Sequence, residues 1–492
     1  MNRILIVAFL FSYLIYHLIT LLVSPLPWFD EIIFNSISHS FATNLSFHLP
    51  VAPLVLDGQE VIVYGPVYFV AAGLLEKMFG FGMFQYRILS LLSGLLYIFM
   101  ILVFIRKYIP GSQKKLLLLL LIICFDPVLN SSMHGGRMDL LASSLVLLSI
   151  LFFFKTNEKG NDSGSLIYMA LSGLLAALAV LTTPRVGIML ISITLVFLYR
   201  FFSAFSFRRF SEMTVWALVF LLPVLAWLNY IYMLSPKLLD TFAQVYVFGG
   251  NFFYPKERHQ YALTQYPLIF LSFLVVSIGI WSLRKKYFSE FTIISILNIF
   301  AFYLLIFEVG GYYVIIVPFF YFLIFNASFQ SNRFVNKYLI PSTVVILLVF
   351  NFAVFSIKTF NIIFTLNERL SDECDYYVRK LIPAGSKVIG DEPYYYSVIG
   401  MGSEFQLINK FSKTEEREKF QRENFDYDYL VISELLEKTA PALLPCYLNN
   451  SQLQKIASIS YPERVYPFKI PCMPEIFNSY KGTIYKRIKS PS

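Results

Sequence analysis

Followed for its apolar and polar positions, the chain runs as long apolar blocks with short charged or Pro/Gly-bearing joints to about residue 365, then changes to short mixed segments. The blocks at 4–23, 88–105, 116–132, 139–154, 166–182, 186–202, 213–233, 267–283, 290–307, 310–328 and 338–357 approach the roughly 20 residues that cross a bilayer as a helix. They predict a polytopic α-helical membrane protein with about 11 transmembrane helices. A further apolar stretch at 64–76 decides the topology, because counting it as a span inverts everything after it.

The basic residues settle that choice. With 64–76 left out, the clusters Arg106/Lys107/Lys114/Lys115, Lys155/Lys159, Arg200/Arg208/Arg209, Arg284/Lys285/Lys286 and Arg333/Lys337 all fall on the side of Arg3. Positive residues mark the cytoplasmic side, so 64–76 reads as an interfacial or re-entrant helix on the outer face. The expectation is a cell (plasma or inner) membrane protein with a cytoplasmic N-terminus and an extracytoplasmic C-terminal part. The first outer loop, 24–87, carries Asp30, Glu31, Asp57 and Glu60, with no Lys or Arg from residue 4 to 76. Arg87, Arg137, Arg185, Lys237, Lys256 and Arg258 land on the outer side against the rule and are candidate anion ligands.

The division expected is a membrane domain at 1–365 and a small soluble α/β domain at 366–492. "SKVIGDEPYYYSV" reads as a strand and turn, "SKTEEREKFQREN" as a polar helix, "YDYLVISELLEK" as a buried strand entering a helix, and "GTIYKRI" as a last strand.

Composition narrows the function. Only 14% of residues are charged, and the tail balances 17 Lys and Arg against 17 Asp and Glu. The whole excess of +9 therefore lies in the membrane part, where it marks topology and not a nucleic-acid surface. The first apolar block is too long for a signal-peptide core, and "SPLPW" offers no small-x-small cleavage site, so it is expected to stay as a helix. Cys124 lies in a membrane block and Cys374, Cys446 and Cys472 in the tail, without the spacing of a zinc site and with room for at most one tail disulfide. No HExxH, P-loop, GxSxG or dinucleotide fingerprint is present.

Candidate chemistry gathers at the outer ends of the blocks. In "PLPWFDEIIF" Asp30 and Glu31 follow the first block; either Asp30 caps a helix, or the pair supplies a general base or a metal-linked carboxylate. In "SSMHGGRMDLLASSL" His134, Arg137 and Asp139 stand at the end of a block behind two glycines, as a snorkelling ion pair or as an anion site that backbone lets a ligand approach. "DGQEVIVYGPVYF" brings Tyr64 and Pro66 to the start of the interfacial helix, where Pro is also ordinary first-turn grammar. "FEVGGYYVIIVP" sets Glu308, Tyr312 and Tyr313 around a glycine turn, and "LTTPRVG" sets Arg185 in a short turn as cap or anion ligand.

Taken in order, these segments resemble the GT-C membrane glycosyltransferases, in particular the family 39-like group with protein O-mannosyltransferases and the aminoarabinose transferases acting on lipid A. The resemblance covers about residues 1–330 and rests on "WFDEIIF", "YGPVYF", "FGFGMFQYRILSLLSGLL", "GGRMDLLASSLVLLSI" and "YYVIIVPFF". It departs where relatives carry Lys before the proline of the "LTTPRVG" turn, since Thr183 stands there, and where the first proline of a P-P-L pair is Gly65.

The resemblance implies transfer of a sugar from a polyprenyl-phosphate carrier to a lipid, glycan or protein acceptor on the outer face, with inversion. Asp30 would be the base that deprotonates the acceptor, Glu31 would orient it or an associated ion, and Arg137, with Arg87 or Arg185, would stabilise the leaving phosphate. The prenyl chain would lie in an apolar groove between spans. No soluble cofactor is implied, and a divalent cation is compatible with the carboxylates although no ligand cluster marks a site. Competing expectations are a transporter or flippase of lipid-linked sugars, a polysaccharide polymerase or ligase, and a catalytically silent scaffold. No repeated halves of the transporter kind and no large mid-chain outer loop are visible.

Overall fold

The computed structural model describes residues 3–51, 64–108, 113–156, 162–203, 206–234, 236, 290–305, 310–330, 340–408, 427–439, 453–461 and 479–488. Its first ten helices are α1 (Arg3–Thr20), α2 (Phe29–Asn44), α3 (Pro66–Phe79), α4 (Met83–Tyr108), α5 (Gln113–Cys124), α6 (Pro127–His134), α7 (Asp139–Lys155), α8 (Asp162–Val180), α9 (Gly187–Ser203) and α10 (Phe207–Leu234). Further helices cover Glu290–Leu305, Val317–Gln330 and Ile340–Phe364.

Among the described residues, Met83–Lys107, Pro184–Ser203, Phe207–Leu234 and Pro341–Phe364 are long and apolar enough to cross a membrane. Ile6–Thr20, Gly164–Val180 and Glu290–Phe302 form shorter apolar helices. The stretch expected at 267–283 lies outside the described residues. Helix α3 has 14 residues, about 21 Å of rise against a core of about 30 Å, and lies against α2. Gly73 permits this contact, because a Cβ there would come within 2.7 Å of the Ser38 carbonyl oxygen.

One expected continuous span, 116–132, is divided: Leu116–Cys124 and Pro127–His134 meet at 55°. The cause is local. Pro127 has no N–H to continue the helix, and Asp126 caps the new one, its Oδ1 accepting from the amides of Val128 at 2.9 Å and Leu129 at 3.0 Å. Tyr321 secures the cap from the facing helix by donating to Asp126 Oδ2 at 2.6 Å.

Among the described residues, the C-terminal region holds a five-stranded mixed sheet with β1 (Lys387–Gly390), β2 (Glu404–Leu407), β3 (Tyr429–Ser433), β4 (Leu453–Ile459) and β5 (Gly482–Arg487) in the order β2-β1-β3-β5-β4. β1 runs parallel to β2 and β3, and β5 antiparallel to β3 and β4. The largely apolar "YLVIS" is strand β3, buried at every position, as expected of a strand covered on both faces. The polar helix expected at 412–424 lies outside the described residues, as do Cys446 and Cys472, while Cys374 is a buried free thiol.

Sheet and first loop share one apolar cluster, in which Leu26, Ile32, Phe34 and Ile37 join Val388, Tyr394, Val398, Phe405 and Tyr480. Tyr394 and Tyr395 of "DEPYYYS" are both buried, so they fill this core and offer no exposed aromatic face. The amide of Leu407 also donates to the Val51 carbonyl at 2.8 Å.

Candidate active site at the acidic hairpin

Between α1 and α2 the chain turns through Pro25 and Pro27 and enters α2 with Trp28 at the N-cap, without a side-chain cap. Asp30 and Glu31 therefore lie in the first helical turn, where the helix dipole favours carboxylates. Adjacent residues of a helix point about 100° apart, and the two acids go to different partners.

Glu31 turns inward. Its side chain and that of Arg87 are both 0% exposed and pair bidentately, Nε to Oε1 and Nη2 to Oε2 at 2.7 Å each. Arg87 Nη1 donates to the carbonyls of Leu21 at 2.6 Å and Pro25 at 2.8 Å, which fixes the hairpin. Arg87, expected as an outer phosphate ligand, is thus committed to the buried support of the loop.

Asp30 turns outward, its side chain 34% exposed, and its Oδ2 accepts from Arg137 Nη1 at 2.9 Å although 107 residues separate them. Arg137 Nε donates to Asp139 Oδ2 at 2.7 Å. The guanidinium lies 5.5 Å from the Trp28 ring and 4.7 Å from that of Tyr312. Burial works against its charge, but Asp139 ahead of Asp30 raises its pKa well above the ordinary value.

The motifs place Arg137 by close backbone approach. Gly136 has φ +59°, and a Cβ there would stand 2.6 Å from the Tyr86 ring and 3.0 Å from Glu31 Cγ. Gly136→Ala is expected to cost about 1–3 kcal/mol of stability, read by thermal unfolding in detergent; an unchanged transition would contradict this geometry. Arg87, Ser90 and Gly94 lie at i, i+3 and i+7 on one face of α4. Arg87 takes Glu31, Ser90 donates to the Arg137 carbonyl at 3.2 Å, and Gly94 leaves room for Met133.

Across the site, a Cβ at Gly65 would stand 1.9 Å from the Leu181 carbonyl oxygen, which accepts from Val67 N at 3.0 Å. The backbone beside Pro66, at the start of α3, is thereby pressed on the turn after α8, with Arg185 lying 5.6 Å from the Tyr64 ring. Arg185 also lies 4.1 Å from the Tyr312 ring, so Tyr312 has guanidinium groups of Arg137 and Arg185 around it.

Other expected pocket residues go elsewhere. Tyr313 is buried in the apolar core, its ring 5.6 Å from that of Phe302. His134 faces α1: its Nδ1 donates to the Ser24 carbonyl at 2.8 Å, leaving Nε2 to accept from His17 Nδ1 at 2.7 Å. His134 is therefore a buried structural partner. Glu308, Lys237, Lys256 and Arg258 lie outside the described residues. Sequence reasoning missed Trp28, which flanks Arg137 and donates from Nε1 to the Gly135 carbonyl at 2.9 Å, although an interfacial Trp beside the acids was a signal. Among the described residues, no group of three or more His, Cys, Asp or Glu could hold a metal ion.

The family model described as dolichyl-phosphate-mannose-protein mannosyltransferase matches residues 64–228. That segment holds the motifs around Tyr64, Arg87, Arg137 and Arg185 and begins after the acidic hairpin. No curated protein matches the chain. Among solved structures, ArnT from Cupriavidus metallidurans bound to undecaprenyl phosphate is 14% identical, with a TM-score of 0.63 over 100% of both chains. The same protein in its apo state is 13% identical, with a TM-score of 0.57 over 99% of both chains. The Archaeoglobus fulgidus oligosaccharyltransferase in complex with Zn and sulfate is 12% identical, with a TM-score of 0.48 over 89% of this chain and 70% of that one.

Proposed function

We propose that this chain, whose residues 64–228 match the mannosyltransferase family model and whose fold is similar to that of ArnT, is a GT-C membrane glycosyltransferase that transfers a sugar from a polyprenyl-phosphate carrier to an acceptor at the outer face of the membrane. The observation that carries this reading is the 2.9 Å contact of Asp30 with Arg137, a part-exposed carboxylate beside a buried cation. The undecaprenyl phosphate bound to the structural neighbour supports a polyprenyl-phosphate donor. The sequence-derived topology of eleven spans, with the hairpin and the sheet outside the cytoplasm, belongs to the same proposal.

Asp30 takes the acceptor hydroxyl proton as the oxygen attacks the anomeric carbon from the face opposite the phosphate, and configuration inverts. Negative charge grows on the leaving phosphate, where Arg137, aided by Arg185, stabilises it. The phosphate competes with Asp30 for Arg137. Donor binding therefore draws Arg137 toward the phosphate and frees the Asp30 carboxylate oxygen to meet the acceptor hydroxyl.

The test uses membranes containing the protein, a panel of radiolabelled polyprenyl phosphate sugars, and mass spectrometry of lipids, glycans and proteins. Label moving into a covalent product is the expected result, and Arg137→Ala lowers kcat by about 10²–10³-fold, the size of losing one charge-stabilising donor. Label that crosses the membrane on an intact carrier would make the protein a transporter and overturn the proposal.

A further inference from the structure

The C-terminal region reaches the reactive hairpin directly. Tyr396, on the short helix Tyr395–Ile399, donates its phenol proton to Glu31 Oε1 at 3.0 Å, the same oxygen that accepts from Arg87 Nε at 2.7 Å. Its neighbour Tyr395 donates to Asn35 Oδ1 at 2.9 Å, one turn further along α2. Phe81, from the α3–α4 joint, packs on both rings with centroids 5.9 and 5.7 Å away.

Tyr396 is not wedged in place by packing alone. It lines a cavity of about 400 Å³ between Phe81–Gln85 on one side and Leu370, Asp372, Asp375 and Arg379 on the other. The ring packs on Phe81 and borders this cavity, and its hydroxyl is tied to Glu31. Burial and the Glu31 charge raise the phenol pKa well above the ordinary value, which keeps the proton on the donor.

We propose that Tyr396 is a positioning residue for the transfer: it holds Glu31 from the C-terminal region and thereby sets the first turn of α2, on which Asp30 meets Arg137. Tyr396, Glu31 and Arg87 form one chain of contacts from the C-terminal region to the hairpin that carries the base. Tyr396 to Glu31 spans the seam, Glu31 to Arg87 locks the hairpin carbonyls of Leu21 and Pro25, and Asp30 is the residue next to Glu31. The Tyr396–Glu31 bond in particular, and not seating of the C-terminal region in general, is then a condition for chemistry and not only for stability. This inference rests on the reading of Asp30 as the base.

Tyr396→Phe removes one hydroxyl and leaves the ring, and Tyr395→Phe removes the other seam bond as a control. A misplacement of a reacting group by about 1 Å can cost about 10²-fold, so Tyr396→Phe is expected to lower kcat by about 10- to 100-fold with the KM for the lipid donor unchanged. Tyr395→Phe is expected to leave kcat near wild type. Amide hydrogen exchange over residues 29–35 is expected to quicken in Tyr396→Phe. Wild-type kcat in Tyr396→Phe, an equal loss in Tyr395→Phe, or unchanged exchange over 29–35 overturns the proposal. Asp30→Asn in the same assay separates the two ideas. Loss in Asp30→Asn with full activity in Tyr396→Phe sinks the positioning role alone, whereas the reverse pattern sinks the base and leaves Tyr396 tied to Glu31. If no donor in the panel is used, the exchange measurement decides.

Discussion

Asp30→Asn is expected to reduce sugar transfer by about 10²–10⁴-fold, the range for losing a general base, while the protein still inserts and folds. The amide matches the carboxylate in shape, and Arg137 keeps its bond to Asp139 at 2.7 Å, so no buried charge is stranded. What disappears is the group that can take the acceptor proton. Binding of the lipid donor should persist or tighten, because Arg137 no longer has Asp30 as a competitor for the phosphate. The measurement is single-turnover transfer from a labelled polyprenyl phosphate sugar, alongside donor binding. Turnover at the wild-type rate would remove Asp30 as the base.

The second large effect is on stability. Arg87→Met is expected to destabilise the protein by about 3–5 kcal/mol, because it strands the fully buried Glu31 carboxylate. It also leaves the carbonyls of Leu21 and Pro25 without their donor. Adding Glu31→Gln to Arg87→Met should recover part of the loss, since replacing both partners of a buried pair removes the unpaired charge. Thermal unfolding in detergent reads both variants. An Arg87→Met protein that melts with the wild type would mean that the pair does not hold the hairpin.

These two variants separate residues the sequence could not separate. "DE" is one motif in the chain, yet Asp30 meets a residue 107 positions on and Glu31 one 56 positions on. The candidate cations divide in the same way: Arg87 is sealed under the loop, whereas Arg137 and Arg185 flank Tyr312. Charge against the topology rule marked all of them, because each needs a reason to be there. Whether that reason is a substrate or a buried carboxylate depends on which face of the helix the residue occupies. His134 shows the same limit, standing two residues from Gly136 and still facing His17 on α1.

The expected span 116–132 was broken by local residues that its hydropathy did not register. Asp126 and Pro127 break a span that hydropathy alone treats as continuous, since hydropathy averages over the proline and the cap. The glycines at 65 and 136 are demanded by contacts with Leu181, Tyr86 and Glu31, none of them near in sequence to the glycine they constrain.

The amino-acid order by itself determined that this chain is apolar helices followed by a short mixed-polarity α/β region, because the lengths and periods of apolar runs are short-range properties. It also marked the acidic turn and the anomalous cations as the place to look. Only the tertiary structure decided which acid faces which cation, and that the C-terminal region reaches Glu31 through Tyr396 over a separation of 365 residues. Such pairings are set by helix rotation and packing at a distance, where a change of one position along a helix turns a side chain by about 100° and exchanges a buried partner for a partly exposed one.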